Sequence, residues 1–287
     1  MARAAPYGWP VEPFDRQHPV RGYFSDPRDG DQRSTFHFGI DVAVPDGTPV
    51  YSVEAGRVDM GSGKENPAVV SSAIPGRVFG YWHVVPVVRH KQQVAKHQLL
   101  GHVAETWGHV HFAERTGGQY RNPVRKGALR PYTDPSSPRI ERVVVSRGGQ
   151  EFDPEQLTGA VDVVVEAFDR PAMRVPDPNW TDMPVAPALI RWRVVRFGRA
   201  VVPWTNAIDF RMTLLPNSQF TRIYAPGTRQ NHPQQPGLYR FFLARAWRTT
   251  QHTDGEYRLD VEASDIEGNK ASAHLVLVLR NGRGPQP

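Results

Sequence analysis

Prolines and glycines recur so densely along this chain that almost no window remains in which a helix of ordinary length can form. The 27 prolines and 25 glycines among 287 residues put a helix breaker about every five or six positions. An amphipathic helix needs a longer unbroken run with apolar side chains at i, i+3 and i+4. Short runs rich in valine, isoleucine, threonine and aromatics, bounded by turn residues, stand in its place. They predict strands at 48–53, 77–85, 109–113, 142–145, 161–168, 189–195, 239–244, 256–263 and 273–279. The expected fold class is all-β.

The length suits two domains, each large enough to bury a core. A proline-rich stretch at 130–139 (RPYTDPSSPR) separates a histidine-rich first half from a second half without a clustered titratable set. The expected division is 1–138 and 139–287, with no internal repeat across it. The second segment has alternating apolar runs and long loops at 171–187 and 226–237, the pattern of a β-sandwich. Its last hairpin resembles the closing strands of immunoglobulin-like modules, and Asp265, Glu267 and Asn269 between those strands read as a turn rather than a calcium site. Trp180, Trp192, Trp204 and Trp247 are candidates for an exposed binding cluster, with core positions the commoner use of tryptophan.

Composition narrows the chemistry. There are no cysteines, which excludes disulfides, thiolate metal sites and a cysteine nucleophile, so any metal must sit on His, Asp or Glu. The formal charge of +6 is mostly arginine and is scattered rather than gathered in one tract; such a surface serves nucleic acid or an anionic cell wall, charge alone does not choose between them, and no nucleic acid partner is expected. No apolar run is long enough for a transmembrane helix, and the first residues show no secretory leader.

The chemistry-bearing residues fall in three segments. His37-Phe-Gly-Ile-Asp41 places a histidine and a carboxylate four apart, but Gly39, the β-branched neighbours and Pro45 oppose a helix. In a flat strand the two would lie about 13 Å apart, so a shared ion requires a bend, for which Gly39 is the natural place. His109-Val-His111-Phe112 puts two imidazoles on one side of a strand, about 7 Å apart, with Val110 and Phe112 facing the core. Tyr81-Trp-His83 is a third strand-like piece. Each alone is more often surface or turn than ligand.

Taken in order, His37-Phe-Gly-Ile-Asp41, Pro45-Asp-Gly-Thr-Pro-Val-Tyr51, Tyr81-x-His83, Leu100-Gly101 and His109-x-His111-Phe112 resemble the lysostaphin and LytM-type zinc peptidases over residues 24–122. The resemblance implies an antiparallel β-sheet metallopeptidase domain, one zinc ion held by His37, Asp41 and His111, and catalytic assistance from His83 and His109. It implies an endopeptidase hydrolysing peptide bonds in peptidoglycan stem peptides or cross-links, in a secreted, periplasmic or wall-associated setting. Two imidazoles and a carboxylate leave a fourth position open on zinc, as hydrolytic sites do. We assign His109 as the base and His83 as the stabiliser of the developing oxyanion. A catalytically inactive scaffold or activator, or a wall-binding protein, is the alternative; its mark would be lost ligands, and all five positions are filled. HExxH and GxSxG motifs are absent, and His90, His97 and His102 read as loop or surface residues.

The chain departs from the family before His109, where 99–108 is short and carries Trp107 in place of a glycine-rich loop, predicting a more open cleft. The stretch 31–36 lacks the tyrosine that some relatives place ahead of the first ligand. The segment Phe24-Ser-Asp-Pro-Arg28 looks like the lead-in of relatives that cut cross-links other than glycine bridges.

Overall fold

The computed structural model describes residues 6–29, 34–60 and 68–282. The readings made on the first five residues and on 31–33 lie outside them. From the N-terminus the chain forms β1 (Val20–Gly22), the hairpin β2 (Pro27–Asp29) and β3 (Ser34–Phe36), then β4 (Ile40–Ala43), β5 (Pro49–Tyr51), β6 (Gly56–Met60) and β7 (Ala68–Ser72). It continues through β8 (Arg77–Trp82), β9 (Val84–Pro86), β10 (Gln93–Val94), β11 (Leu99–Val103), β12 (His109–Thr116) and β13 (Gln119–Arg121). The C-terminal half holds β14 (Arg139–Arg147), β15 (Gln150–Phe152), β16 (Ala160–Phe168), β17 (Leu189–Arg196), β18 (Arg199–Asp209), β19 (Arg240–Arg248), β20 (Gly255–Ser264) and β21 (Lys270–Leu279). The only α-helix among the described residues is the single turn Phe220–Ile223. The fold is all-β, as the density of breakers requires.

The main N-terminal sheet runs β1-β4-β12-β8-β7-β6-β10, with β13 also paired to β12, and a smaller sheet runs β5-β11-β9. The expected single strand 77–85 is two strands in two sheets. His83 sits at φ 64°, a left-handed conformation no strand tolerates, and turns the chain out of the main sheet after Trp82 and into the smaller one at Val84. Within β12, Glu114 is 1% exposed and accepts a bidentate bond from Arg125 and another from the Tyr7 hydroxyl. A buried carboxylate is tolerated only when paired in this way.

In the C-terminal half two four-stranded sheets, β15-β14-β16-β19 and β18-β17-β20-β21, enclose a common core. The period-two pattern is plain in β20, where Tyr257, Leu259, Val261 and Ala263 are buried and Glu256, Arg258, Asp260 and Glu262 are not. Asp265 closes the β20–β21 turn by accepting the Gly268 and Asn269 amides and the Asn269 side-chain amide.

The two halves exchange side chains. Phe36 of β3 is buried in the C-terminal core against Phe210, Phe220 and Tyr224. Val185, from the loop before β17, is buried in the N-terminal core. Bonds cross the same boundary: Tyr224 hydroxyl to Ser25 carbonyl at 2.7 Å, Ala186 amide to Asp26 carboxyl at 2.7 Å, and Asn122 side-chain amide to Phe210 carbonyl at 3.0 Å.

Candidate metal centre

Antiparallel register brings the first pair of candidate ligands together. His111 of β12 stands directly opposite Asp41 of β4 and, on its other side, opposite Trp82 of β8. Directly opposed residues hold their Cβ atoms about 5 Å apart, close enough for two short polar side chains to meet. His111 Nδ1 lies 3.0 Å from Asp41 Oδ1. His109, two residues earlier on the same face, brings Nε2 to 3.4 Å from that oxygen. Val110 and Phe112 point the other way and are fully buried, as alternation along a strand demands.

His37 arrives from a different sheet. With Phe36 fixed in the C-terminal core, the chain bends through 37–39 and enters β4 at Ile40. His37 Nδ1 donates to the Tyr23 carbonyl at 2.8 Å, which leaves Nε2 as the lone-pair nitrogen. That nitrogen is 2.8 Å from His111 Nδ1 and 3.1 Å from Asp41 Oδ1. The bend lies at the expected place, and close approach is what requires a glycine, Gly39, there. Its φ is not left-handed; instead a Cβ there would stand 2.4 Å from the Phe112 carbonyl oxygen and 2.8 Å from His111 Nε2.

Three electron-rich atoms therefore face one another in a buried pocket. One proton on His111 Nδ1 would satisfy a single pair of them, whereas a cation among the three satisfies all. Tetrahedral zinc at bond lengths of about 2.0–2.2 Å wants its donors about 3.3 Å apart, and the three separations here are close to that. Among the described residues the buried His111 Nε2 has no hydrogen-bond partner, so none of them competes for the orientation that points Nδ1 at Asp41. The donor set fits a divalent ion of zinc's preferences, and His37, Asp41 and His111 together can hold one.

The electrostatics suit ligation. Burial, helped by the nearby Arg28 guanidinium, pushes the His37 imidazole down to about 3, and burial also lowers His111, so both rings are neutral at physiological pH. Burial alone would raise Asp41, but the surrounding imidazoles, His37 foremost, hold it well below the usual carboxylate range. Arg28 Nη2 donates to Asp41 Oδ2 at 2.9 Å, orienting the carboxylate so that Oδ1 faces the histidines.

His83 is brought to the site by its left-handed turn. Its ring stacks on Trp107 with centroids 3.5 Å apart and lies 4.7 Å from the His109 ring. Burial, then the neighbouring His109, lowers its pKa to about 3. The loop carrying Trp107 is pinned by Asp46, whose carboxylate accepts the Thr106 and Gly108 amides at 2.7 Å each. His109 Nδ1 lies between the Arg21 guanidinium, at 2.6 Å, and the Trp107 carbonyl oxygen, at 2.7 Å. It accepts from the first when bare and donates to the second when protonated, so either ring nitrogen can carry the proton without losing a partner.

These groups line a cavity of about 450 Å³. The C-terminal half contributes Trp180, Gln230, Asn231 and His232 to its wall. No motif in the sequence assigns Arg21, Arg28 or the position of Trp180 to the site; the Arg28 lead-in bears only on specificity. His90 and His97 are exposed, and His102 is half-buried on β11.

Residues 35–123 match the family model described as Peptidase family M23, the family that the sequence resembles. Solved structures with similarity include a zinc-containing peptidase from Vibrio cholerae, 25% identical over 42% of this chain and 39% of that one, TM-score 0.35. The catalytic domain of a prophage-encoded M23 protein from Enterococcus faecalis is 28% identical over 43% of this chain and 97% of that one, TM-score 0.33. The catalytic domain of lysostaphin from Staphylococcus simulans is 22% identical over 36% and 86%, TM-score 0.32. No curated protein matches the chain.

Proposed function

We propose, for a chain whose residues 35–123 match peptidase family M23, that it is a zinc-dependent endopeptidase acting on peptidoglycan stem peptides or cross-links. The observation that carries this reading is the mutual approach of His37 Nε2, Asp41 Oδ1 and His111 Nδ1 to 2.8–3.1 Å on the floor of a cleft that also holds two further imidazoles. The three are the proposed ligands of one ion. Zinc bound there would supply Lewis acidity and bring the pKa of a water toward about 7.

The chain's own groups then divide the work. His109 takes a proton at Nε2, the nitrogen facing Asp41, and returns it to the leaving amine; in that tautomer Nδ1 carries the ring proton and donates it to the Trp107 carbonyl. His83, held flat on Trp107, donates to the oxygen on which charge develops. Phe38 and Trp82, whose rings lie 4.4 and 5.1 Å from that of His111, exclude bulk water from the ligand side. A peptidoglycan substrate places the protein in a secreted, periplasmic or wall-associated setting, and no helix among the described residues is long and apolar enough to cross a membrane.

Metal analysis of the purified chain, with digestion of peptidoglycan by wild type and His111→Ala, tests the reading. The expected result is about one equivalent of zinc and new amino termini released by wild type alone. A folded wild-type chain that takes up no zinc on dialysis against it would overturn the proposal. Zinc uptake without cleavage would favour a scaffold.

A further inference from the structure

Every group in the proposed chemistry comes from the N-terminal half, yet the C-terminal half reaches into the same cleft with Trp180. The loop carrying it is firmly built. The Trp180 amide donates to the Asp177 carbonyl at 2.9 Å, and Gln234 donates twice to Asn179, from its amide at 2.9 Å and its side chain at 2.8 Å. Asn231 ties the two loops together by donating to the Pro184 carbonyl at 2.7 Å.

What this loop holds is a guanidinium. Arg21, at the centre of β1, points into the cleft and stacks on Trp180 with its guanidinium carbon 4.3 Å from the ring centroid. Among the described residues its one polar contact within hydrogen-bond distance is His109 Nδ1, 2.6 Å from Nη2, and no carboxylate there lies within ion-pair distance. Arginine keeps its charge and offers five donors; the His109 contact takes up at most one hydrogen of Nη2, and the second Nη2 hydrogen with its parallel neighbour on Nε or Nη1 is the pair that a carboxylate takes. Arg28, the other guanidinium in the cleft, is engaged by Asp41 and by the Pro27 carbonyl. Trp180 thus holds flat a fork shaped for two-point contact with a carboxylate.

We propose that Arg21 is a specificity-determining residue that receives a carboxylate of the substrate peptide, with Trp180 as the plate that orients it. This rests on the peptidase reading. A single imidazole ring, that of His109, separates the guanidinium from Asp41, a distance of one or two residues of extended peptide at about 3.3 Å each. The recognised carboxylate therefore belongs to a residue adjoining the scissile bond. Acidic stem peptides with that carboxyl free are the substrates; neutral glycine bridges and amidated stems are poor ones.

The test uses two synthetic stem peptides that differ only in a free carboxylate or a carboxamide beside the scissile bond. Cleavage by the zinc-loaded full chain is followed alongside calorimetric binding. Wild type is expected to favour the carboxylate by about 10- to 100-fold in kcat/KM, the range for a hydrogen bond to a charged group. Arg21→Gln brings the ratio to about one whatever its absolute rate, Arg21→Lys keeps part of it, and Trp180→Ala lowers it chiefly through KM. A purely structural role would slow both peptides equally and leave the ratio alone. Equal use of both peptides by wild type, or an unchanged preference in Arg21→Gln, overturns the proposal. A carboxylate preference in binding that Arg21→Gln abolishes, without cleavage of either peptide, upholds Arg21 and overturns the peptidase reading.

Discussion

Adding one methyl group at Gly39 should weaken binding of the proposed zinc while leaving the fold in place. The Cβ of Gly39→Ala would stand 2.4 Å from the Phe112 carbonyl oxygen, where ordinary contact begins at 3.4 Å. Phe112 cannot yield, because β12 is paired to β4 on one side and β8 on the other. The 37–39 segment must therefore retreat by about 1 Å, and it carries His37. Metal sites tolerate errors of about 0.2 Å in ligand distance, so a shift several times larger should weaken zinc at least as much as losing an outer-shell partner, about 10- to 100-fold. The steric cost to stability is about 1–3 kcal/mol. Competition against a chromophoric chelator gives the affinity, and thermal melting of the metal-free protein gives the stability. Gly117→Ala is the matched control: Gly117 has φ 60° with nothing within 4 Å of an added Cβ, so the variant pays about 1–2 kcal/mol of backbone strain and keeps its metal. Wild-type zinc affinity in Gly39→Ala would refute the close-approach argument.

Two further outcomes follow from neighbouring groups. Arg28→Ala removes the bond that orients Asp41 and is expected to weaken zinc about 10- to 100-fold by the same competition; because the Arg28 side chain is 32% exposed, its melting should move by less than about 1 kcal/mol. Unchanged affinity would mean that Asp41 needs no such support. Asp134, Asp169 and Asp265 are buried together. Burial, with the other carboxylates adding to it, pushes Asp169 up to about 8, above the usual value of about 4. The folded state therefore favours its protonated form, and the resulting stability is complete below about pH 4 and lost as the pH rises to about 8. Melting temperatures across that window should fall less steeply in Asp169→Asn, and a slope equal to that of wild type would count against the assignment.

The parts of the site legible in sequence are those set by local periodicity. His109 and His111 share a face because a strand alternates, and no distant contact is needed to know it. Asp41 was legible only through its motif, since its place opposite His111 depends on a register between strands about 70 residues apart. His37 was less accessible still, because the bend that delivers it starts from Phe36, whose burial is decided by rings 174 to 188 residues further on. His83 was assigned a role from the family pattern, but its strand was misjudged: an apolar run hides a left-handed residue that is not glycine. Arg21 and Trp180 had no motif to announce them. Their meeting is created by the packing of one half against the other, and a tryptophan in a long loop reads equally well as core.

The exchange of Phe36 for Val185 has a bearing on how such a protein can be divided or inherited. A gene cut at the proline-rich stretch would encode two bodies, one with an aromatic plug left in water and the other with an empty socket, and the loss would fall on the residue that leads into the first ligand. Either half moved into a new protein would carry that plug or that socket with it. Changes in the C-terminal socket, far along the chain from any histidine of the cleft, would be felt as changes in chemistry.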